Sequence, residues 1–367
     1  MIYIFVFLLT GLLIYQSEYY KRKNKWVLGN IFAVLVILIV AGIRDISVGT
    51  DVEYYVIKHF NWVALFPNQM WKYIIYLVTY DEVEPIYALV QYIGYSVFHS
   101  INFVLFMLSL ITHIFIYLGL IKKAEQISIS TAWLIYCFLF YNTTLNIVRQ
   151  SCAVAIIFYM VMCILEEKIS VKKYIILTVI ALGFHRSSLL MAVILPLLIW
   201  SYNNKIKKNI NYIIVFILCL FPFFFKFIGS FISSFNSLPM KYQVFFNDIN
   251  SGQSSIILDT IVYLLPTILF IYLAYKQKTN VQIKFYLVMA FVSISCCLAS
   301  NLMISRLSYY FIIFFCYSIP YSTKIISTRA NGRQLYRFGM IGWFALMWYI
   351  NIVNYGYGAT YPYVLGI

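Results

Sequence analysis

The sequence predicts an all-α integral membrane protein, a polytopic bundle of about twelve transmembrane helices. Three observations carry that reading. Of 367 residues, 63% are apolar and only 11% charged, whereas soluble domains run at about 25% charged and 45–50% apolar. The apolar residues gather in runs approaching the roughly 20 that a spanning helix needs. The basic residues collect in alternate connections between those runs, as the positive-inside rule requires. The same composition excludes a disulfide-built secreted fold and a zinc module. The net charge of +15 is a record of topology and calls for no nucleic-acid partner.

Taken in order, the expected spans are roughly 2–17, 26–43, 101–121, 131–147, 150–165, 173–185, 188–201, 210–228, 258–275, 283–300, 304–321 and 337–353. Met1 to Ile14 lacks a basic leader and a small-residue cleavage site, which predicts a retained helix. Tyr and Trp crowd the span ends, as an interfacial aromatic belt does. Residues 85–121 would make one helix of about 55 Å at 1.5 Å per residue. Asn102, between Ser100 and Phe103, suggests a break there. Residues 85–99 are therefore expected as an amphipathic or re-entrant segment on the outer side, feeding the span at 101–121. Cysteines 137, 152, 163, 219, 296, 297 and 316 all lie within apolar runs. None has a partner at metal-ligand spacing, so neither a disulfide nor a structural metal is expected.

Lys21-Arg22-Lys23-Lys25, Lys122-Lys123, Lys168-Lys172-Lys173, Lys205-Lys207-Lys208, Lys276-Lys278-Lys284 and Lys324-Arg329-Arg333-Arg337 hold 19 of the 27 basic residues, on alternate connections. This set is expected in the cytoplasm. Both termini then lie outside, with outer loops at 44–84 and 229–257, and the whole of 1–367 forms a single membrane domain.

The outer side keeps four of the eight arginines: Arg44, Arg149, Arg186 and Arg306. Each sits at or close to a span end, against the positive-inside bias. One such arginine reads as snorkelling to headgroups; four together suggest an anionic ligand. Their surroundings have a recurring texture. Gly42-Ile43-Arg44 leads to Gly49-Thr50-Asp51 and Tyr54-Tyr55; Asn146-Ile147-Val148-Arg149-Gln150 joins two apolar runs. Glu84-Pro85 precedes an apolar run, and Phe184-His185-Arg186-Ser187-Ser188 lies between two short ones. Arg306-Leu307-Ser308-Tyr309-Tyr310-Phe311 opens another, and the chain closes near Pro362-Tyr363.

In this order and spacing, the set resembles the EpsG/Wzy-type polysaccharide polymerases, from about residue 40 to the C-terminus. The resemblance implies a bacterial inner-membrane glycosyltransferase of GT-C-like architecture. Its substrates would be undecaprenyl-diphosphate-linked repeat units, joined into O-antigen, capsule or exopolysaccharide. Carried over by position, the motif residues are Arg44, Gly49, Thr50, Asp51, Tyr55, Arg149, Gln150, His185 and Arg306, with Tyr310 beside the last. Arg186 departs from the pattern, where a small or polar residue is expected. The partners implied are lipid-linked oligosaccharide, membrane lipids and a chain-length regulator protein, with no nucleic acid.

The residues support such chemistry on their own terms. Expelling a lipid diphosphate needs cationic donors where charge develops, and helix-end arginines supply them. No cofactor and no metal is expected, because arginines provide the charge a metal would. The Asp51-x-Glu53 pair is too common a spacing to argue otherwise. His185 is a candidate general base, since imidazole titrates near neutral pH. Asp51 is the competing base, sugar ligand or Arg44 partner. His113, mid-span, reads as a polar contact between helices, and His59 and His99 carry no recognisable context.

Three rival functions share parts of this pattern. A lipid-linked oligosaccharide flippase would line a mid-membrane cavity with charge, yet only His113 is clearly mid-span. A membrane O-acyltransferase would use His and Arg on a thioester from the cytoplasm. An O-antigen ligase shares the chemistry and differs only in its acceptor.

Overall fold

A computed structural model of the chain describes residues 2–21, 28–166, 169–203, 208–233, 253–277, 280–299, 302–326 and 330–366. Among these residues the structure is helical, apart from one isolated antiparallel pairing of Arg44 with Leu365. Three helical stretches are long and apolar enough to cross a membrane: Ile2–Tyr20, Ile101–Ile121 and Val148–Leu165. Gly29–Gly42, Ser187–Ser201, Ile213–Phe224, Thr260–Lys276 and Gln282–Leu298 are shorter apolar helices. With this composition the chain is a membrane protein. It divides into two compact units, one of Met1–Val193 with Arg337–Ile367 and one of Ile194–Tyr336.

The first unit opens with α1 (Ile2–Lys21) and α2 (Gly29–Gly42) packed on each other. The stretch 44–84, expected as an outer loop, is largely helical. It holds a π-helical turn (Val52–Val56), α3 (Ile57–Trp62), a 3-10 turn (Val63–Leu65) and α4 (Met70–Tyr80). Its apolar positions are too sparse for a span but spaced for one-sided burial. Val52, Val56, His59 and Val63, then Tyr73, Ile74 and Leu77, face inward at three- and four-residue intervals. Next come α5 (Pro85–Ser96) and α6 (Ile101–Ile121). The break between them falls at 97–100: His99 is left-handed (φ 48°), and the Ser100 hydroxyl caps α6 by accepting from the Phe103 N–H at 3.3 Å.

The expected spans at 131–147 and 150–165 correspond to α7 (Ile129–Tyr136), a π-helical turn at Cys137–Tyr141, α8 (Asn142–Asn146) and α9 (Val148–Leu165). The α6–α9 contact is the most extensive between helices. A Cβ on Gly119 of α6 would come within 2.6 Å of the Phe158 ring of α9, so any larger residue would have to displace that ring. Glu18 of α1 caps α7, accepting from the N–H groups of Ile129 and Ser130 and from the hydroxyls of Ser128 and Ser130. The carboxylate satisfies the donors that a helix N-terminus leaves unpaired. Two more helices follow, α10 (Val171–Leu182) and α11 (Ser187–Asn203). At 12 residues α10 is shorter than the roughly 20 that span a bilayer.

The second unit contains α12 (Lys208–Ser233), α13 (Gln253–Lys276) and α14 (Val281–Leu298). The expected span at 304–321 is fragmented into α15 (Leu302–Ser305), a 3-10 turn (Arg306–Ser308), α16 (Tyr309–Ile312) and α17 (Phe315–Ile326). The rings of Phe270, Tyr286, Phe315 and Tyr317 pack its interior. Of the expected outer loop at 229–257, residues 234–252 lie outside the described ones. Last in the chain is α18 (Ala330–Trp348), extended by a π-helical turn at Tyr349–Asn354; from Arg337 on it belongs to the first unit. Six of the seven cysteines are buried, and Cys219 is partly exposed.

Candidate functional site

Five of the sequence signatures converge at one end of the first unit. The turn after α2 is the foundation. Arg44 is 1% exposed. Its Nη1 donates to the Ala41 carbonyl at 2.6 Å and its Nη2 to the Leu145 carbonyl at 3.1 Å, which ties the end of α2 to the end of α8. The C-terminal segment is laced over this turn. The Asp45 N–H donates to the Val364 carbonyl, the Gly366 N–H to the Ile43 carbonyl, and the Tyr363 hydroxyl to the Val40 carbonyl. Tyr3 and Asn142 hold Thr360 from the other side.

Gly49 then turns with φ at 108°, and a Cβ there would stand 2.6 Å from the Leu145 carbonyl oxygen. Only glycine satisfies both the conformation and the approach. The turn delivers Thr50 and Asp51 to Asn146. The Asn146 Oδ1 accepts from the Thr50 hydroxyl at 3.0 Å and from the Asp51 N–H at 2.9 Å. Gly-Thr-Asp and Asn-x-x-Arg-Gln, a hundred residues apart in the chain, are thus one piece of structure. Thr50 and Asp51 are half-buried, Tyr55 is 41% exposed on the π-helical turn, and Gln150 is buried.

Three residues past Asn146, Arg149 lies in the first turn of α9, after a break at Ile147. No acid stands three or four residues from it, so an unpaired guanidinium is the local expectation. The structure supplies a partner 65 residues away: Arg149 Nη1 donates to Glu84 Oε2 at 2.8 Å. Glu84 is held extended (φ −77°, ψ 143°) by Pro85, the first residue of α5. Its other oxygen, Oε1, accepts the Arg186 N–H at 3.1 Å, just ahead of α11. The carboxylate therefore occupies an anion cradle made of one guanidinium and one backbone N–H at two helix N-termini. The Arg149 side chain is 25% exposed and engages Glu84 through Nη1. Its other guanidinium N–H groups make no hydrogen bond among the described residues. Arg186 departs from the family pattern at little cost here, because its contribution is a main-chain donor, and its side chain is exposed.

His185 sits in the same turn, which is fixed to α5 by the N–H groups of Ile86 and Tyr87 donating to the Gly183 carbonyl. The Ser187 N–H donates to His185 Nδ1 at 3.3 Å, and the Ser187 hydroxyl lies 2.7 Å from the same nitrogen. A backbone N–H can only donate, so Nδ1 accepts and the proton of the neutral ring sits on Nε2.

Sequence reasoning passed over a second polar layer beneath this one. His59 is fully buried, with Nε2 2.6 Å from Asp81 Oδ2 and Nδ1 3.2 Å from the Tyr87 hydroxyl. Burial pushes the imidazole pKa down to about 4, outweighing the Asp81 hydrogen bond that pulls it upward. Burial raises the Asp81 pKa, yet hydrogen bonds from His59 and Lys58 outweigh it and hold the carboxyl below its usual value. Gln91 Nε2 donates to the Tyr87 hydroxyl at 2.6 Å. The Tyr87 ring carries the Arg149 guanidinium 5.3 Å from its centroid, and Tyr87 feels the charges of Arg149, Glu84 and Asp51. The available signal was the acid-rich Asp81-Glu82-Val83-Glu84 run ahead of a helix-starting proline.

Arg306 and Tyr310 belong to the second unit. Arg306 is half-buried in the 3-10 turn, and Tyr310 is 1% exposed within that unit's core. Among the described residues no group of three or more His, Cys, Asp or Glu converges.

With the motifs seen to assemble, a comparison with known families decides the matter: a model of the EpsG family matches residues 26–365. The chain belongs to the EpsG family. Membership gives it a polysaccharide-polymerase type of role in general, with lipid-linked glycans in the membrane as the matching class of substrate. The matched range takes in every signature residue of this EpsG-family chain, from Arg44 to Tyr363. No curated protein and no solved structure matches it.

Proposed function

We propose that this protein is a polymerase that transfers an undecaprenyl-diphosphate-linked glycan onto a second lipid-linked repeat unit, at the outer face of the bacterial inner membrane. The single observation that carries the reading is the Arg149–Glu84 cradle. A guanidinium at a helix N-terminus, anchored by a buried carboxylate and still offering donors, suits a diphosphate in charge and geometry. The basic connections, opposite in the chain to this end, support the outer location.

In the proposed reaction the bond between the anomeric carbon and the diphosphate oxygen breaks. The acceptor hydroxyl oxygen bonds to that carbon, its proton passes to Asp51, and undecaprenyl diphosphate leaves. Arg149 takes up negative charge as it develops on the leaving group. His185 enters as a polar contact to substrate on the family resemblance, with Nδ1 engaged by Ser187. Asp51, fixed by Asn146 through its own N–H, is the base in preference to His185. Gly49, Thr50 and Asn146 shape the loop, Tyr55 offers a stacking face to sugar, and Gln150 supports the first turn of α9. Arg44 is a positioning residue, since its guanidinium is committed to two carbonyls. Arg306 enters the proposal on the family resemblance alone.

The test is chain growth. Purified protein in lipid nanodiscs, given lipid-linked repeat units, should extend them into a ladder and release undecaprenyl diphosphate. Single units left unextended would overturn the reading.

A further inference from the structure

The polar layer under Arg149 has a direction. Gln91 Nε2–H donates to the Tyr87 oxygen, which leaves the Tyr87 proton for His59 Nδ1, and His59 Nε2–H is left for Asp81. Every donor in the row points the same way, ending on a carboxylate that Lys58 Nζ meets at 3.0 and 3.2 Å. A carboxylate on one imidazole nitrogen fixes which nitrogen accepts on the other side. Further anchors make the row rigid. The Tyr73 hydroxyl donates to the His59 carbonyl at 2.8 Å, and Gln91 reaches the Val56 carbonyl. At its far end the row holds the aromatic face against which Arg149 lies.

We propose that His59, locked in one tautomer by Asp81, is a positioning residue for Arg149, acting through the Tyr87 hydroxyl and ring. Its nitrogens touch no substrate, for the side chain is fully buried. Its role is to fix the ring that the guanidinium packs on, so that Nη1 stays on Glu84 and the remaining donors keep their aim. An aim lost by about 1 Å is enough to cost on the order of 10²-fold in rate. The inference deepens the reading of Arg149 as a diphosphate donor and rests on it for its functional consequence alone.

Two substitutions split the imidazole. His59→Asn keeps an acceptor where Nδ1 stood and loses the Asp81 contact. His59→Gln keeps a donor near Asp81 and loses the acceptor for Tyr87. The full-length protein in lipid nanodiscs, labelled with ¹⁵N-arginine and free of ligand, gives a guanidinium signal for Arg149, assigned by its loss in Arg149→Lys. That signal should shift or broaden in His59→Gln, Tyr87→Phe and Asp81→Asn, and return toward the wild-type position in His59→Asn. The Arg44 signal should stay in place in all four, which reports an intact fold. Chain growth should fall about 10- to 100-fold in His59→Gln and fall no further when that change is added to Arg149→Lys. An Arg149 signal unmoved by His59→Gln, or additive losses in the double variant, would overturn the positioning role. A signal that moves as described while Arg149→Lys still builds long chains would leave the positioning intact and defeat the diphosphate reading instead.

Discussion

Arg44 binds the carbonyl of Leu145, four residues ahead of Arg149, and the two regions use the same side chain in opposite ways. Around Arg44 both terminal nitrogens donate to main-chain carbonyls, Nε is buried without a partner, and the guanidinium is sealed at 1% exposure. Around Arg149 one nitrogen meets a carboxylate, the side chain is 25% exposed, and donors are left over. The first arginine closes a structure and the second leaves one open. Two carboxylates repeat the lesson. Glu18 is saturated by neutral donors at the start of α7 and serves as a staple. Glu84 is shared between a cation and a single N–H, an arrangement that an incoming anion can remodel.

The comparison breaks most visibly at Arg44. Arg44→Ala strips the donors from the Ala41 and Leu145 carbonyls, each costing about 1–3 kcal/mol when left buried and unsatisfied. Protein recovered folded from membranes, measured by thermal melting in detergent, should fall sharply. A variant that melts like wild type and loses only chain growth would make Arg44 a substrate contact after all.

A smaller and more specific effect separates the candidate bases. Asp51→Asn should lower turnover by about 10²–10⁴-fold with lipid-substrate binding preserved. His185→Ala should weaken binding and turnover together, by the roughly 0.5–1.5 kcal/mol of one ordinary hydrogen bond. The reverse ranking would return the base role to His185 and show that Ser187 releases Nδ1 during the reaction.

Much of this was legible in the sequence, for reasons that also explain the remainder. The span at 101–121 coincides with α6, because a long apolar run between a serine cap and a lysine pair admits no other boundary. The break expected from Asn102 is present a few residues earlier: α5 ends at Ser96, and His99 takes a left-handed conformation before α6. The stretch 44–84 is largely helical, and its apolar runs, such as 73–78, are too short to announce a span. The signature residues were visible as a set, but their pairings were not. Glu84 reaches Arg149 across 65 residues, and Asn146 reaches Thr50 across 96. His59 has no local context at all, because Asp81 and Tyr87 come from α4's end and from α5. Periodicity reports what a helix does with its own neighbours, and these contacts belong to the fold.

The central claim is that Arg149 is the donor left open for the diphosphate. The direct measurement is the rate of chain growth by purified Arg149→Lys in nanodiscs, alongside wild type at equal concentration and with its melting temperature recorded. Lysine keeps the charge and loses the planar fork. The account predicts an unchanged melting transition and a rate lowered by about 10²–10³-fold, the loss typical of one donor at a developing charge. A lysine variant that elongates chains at the wild-type rate would contradict it.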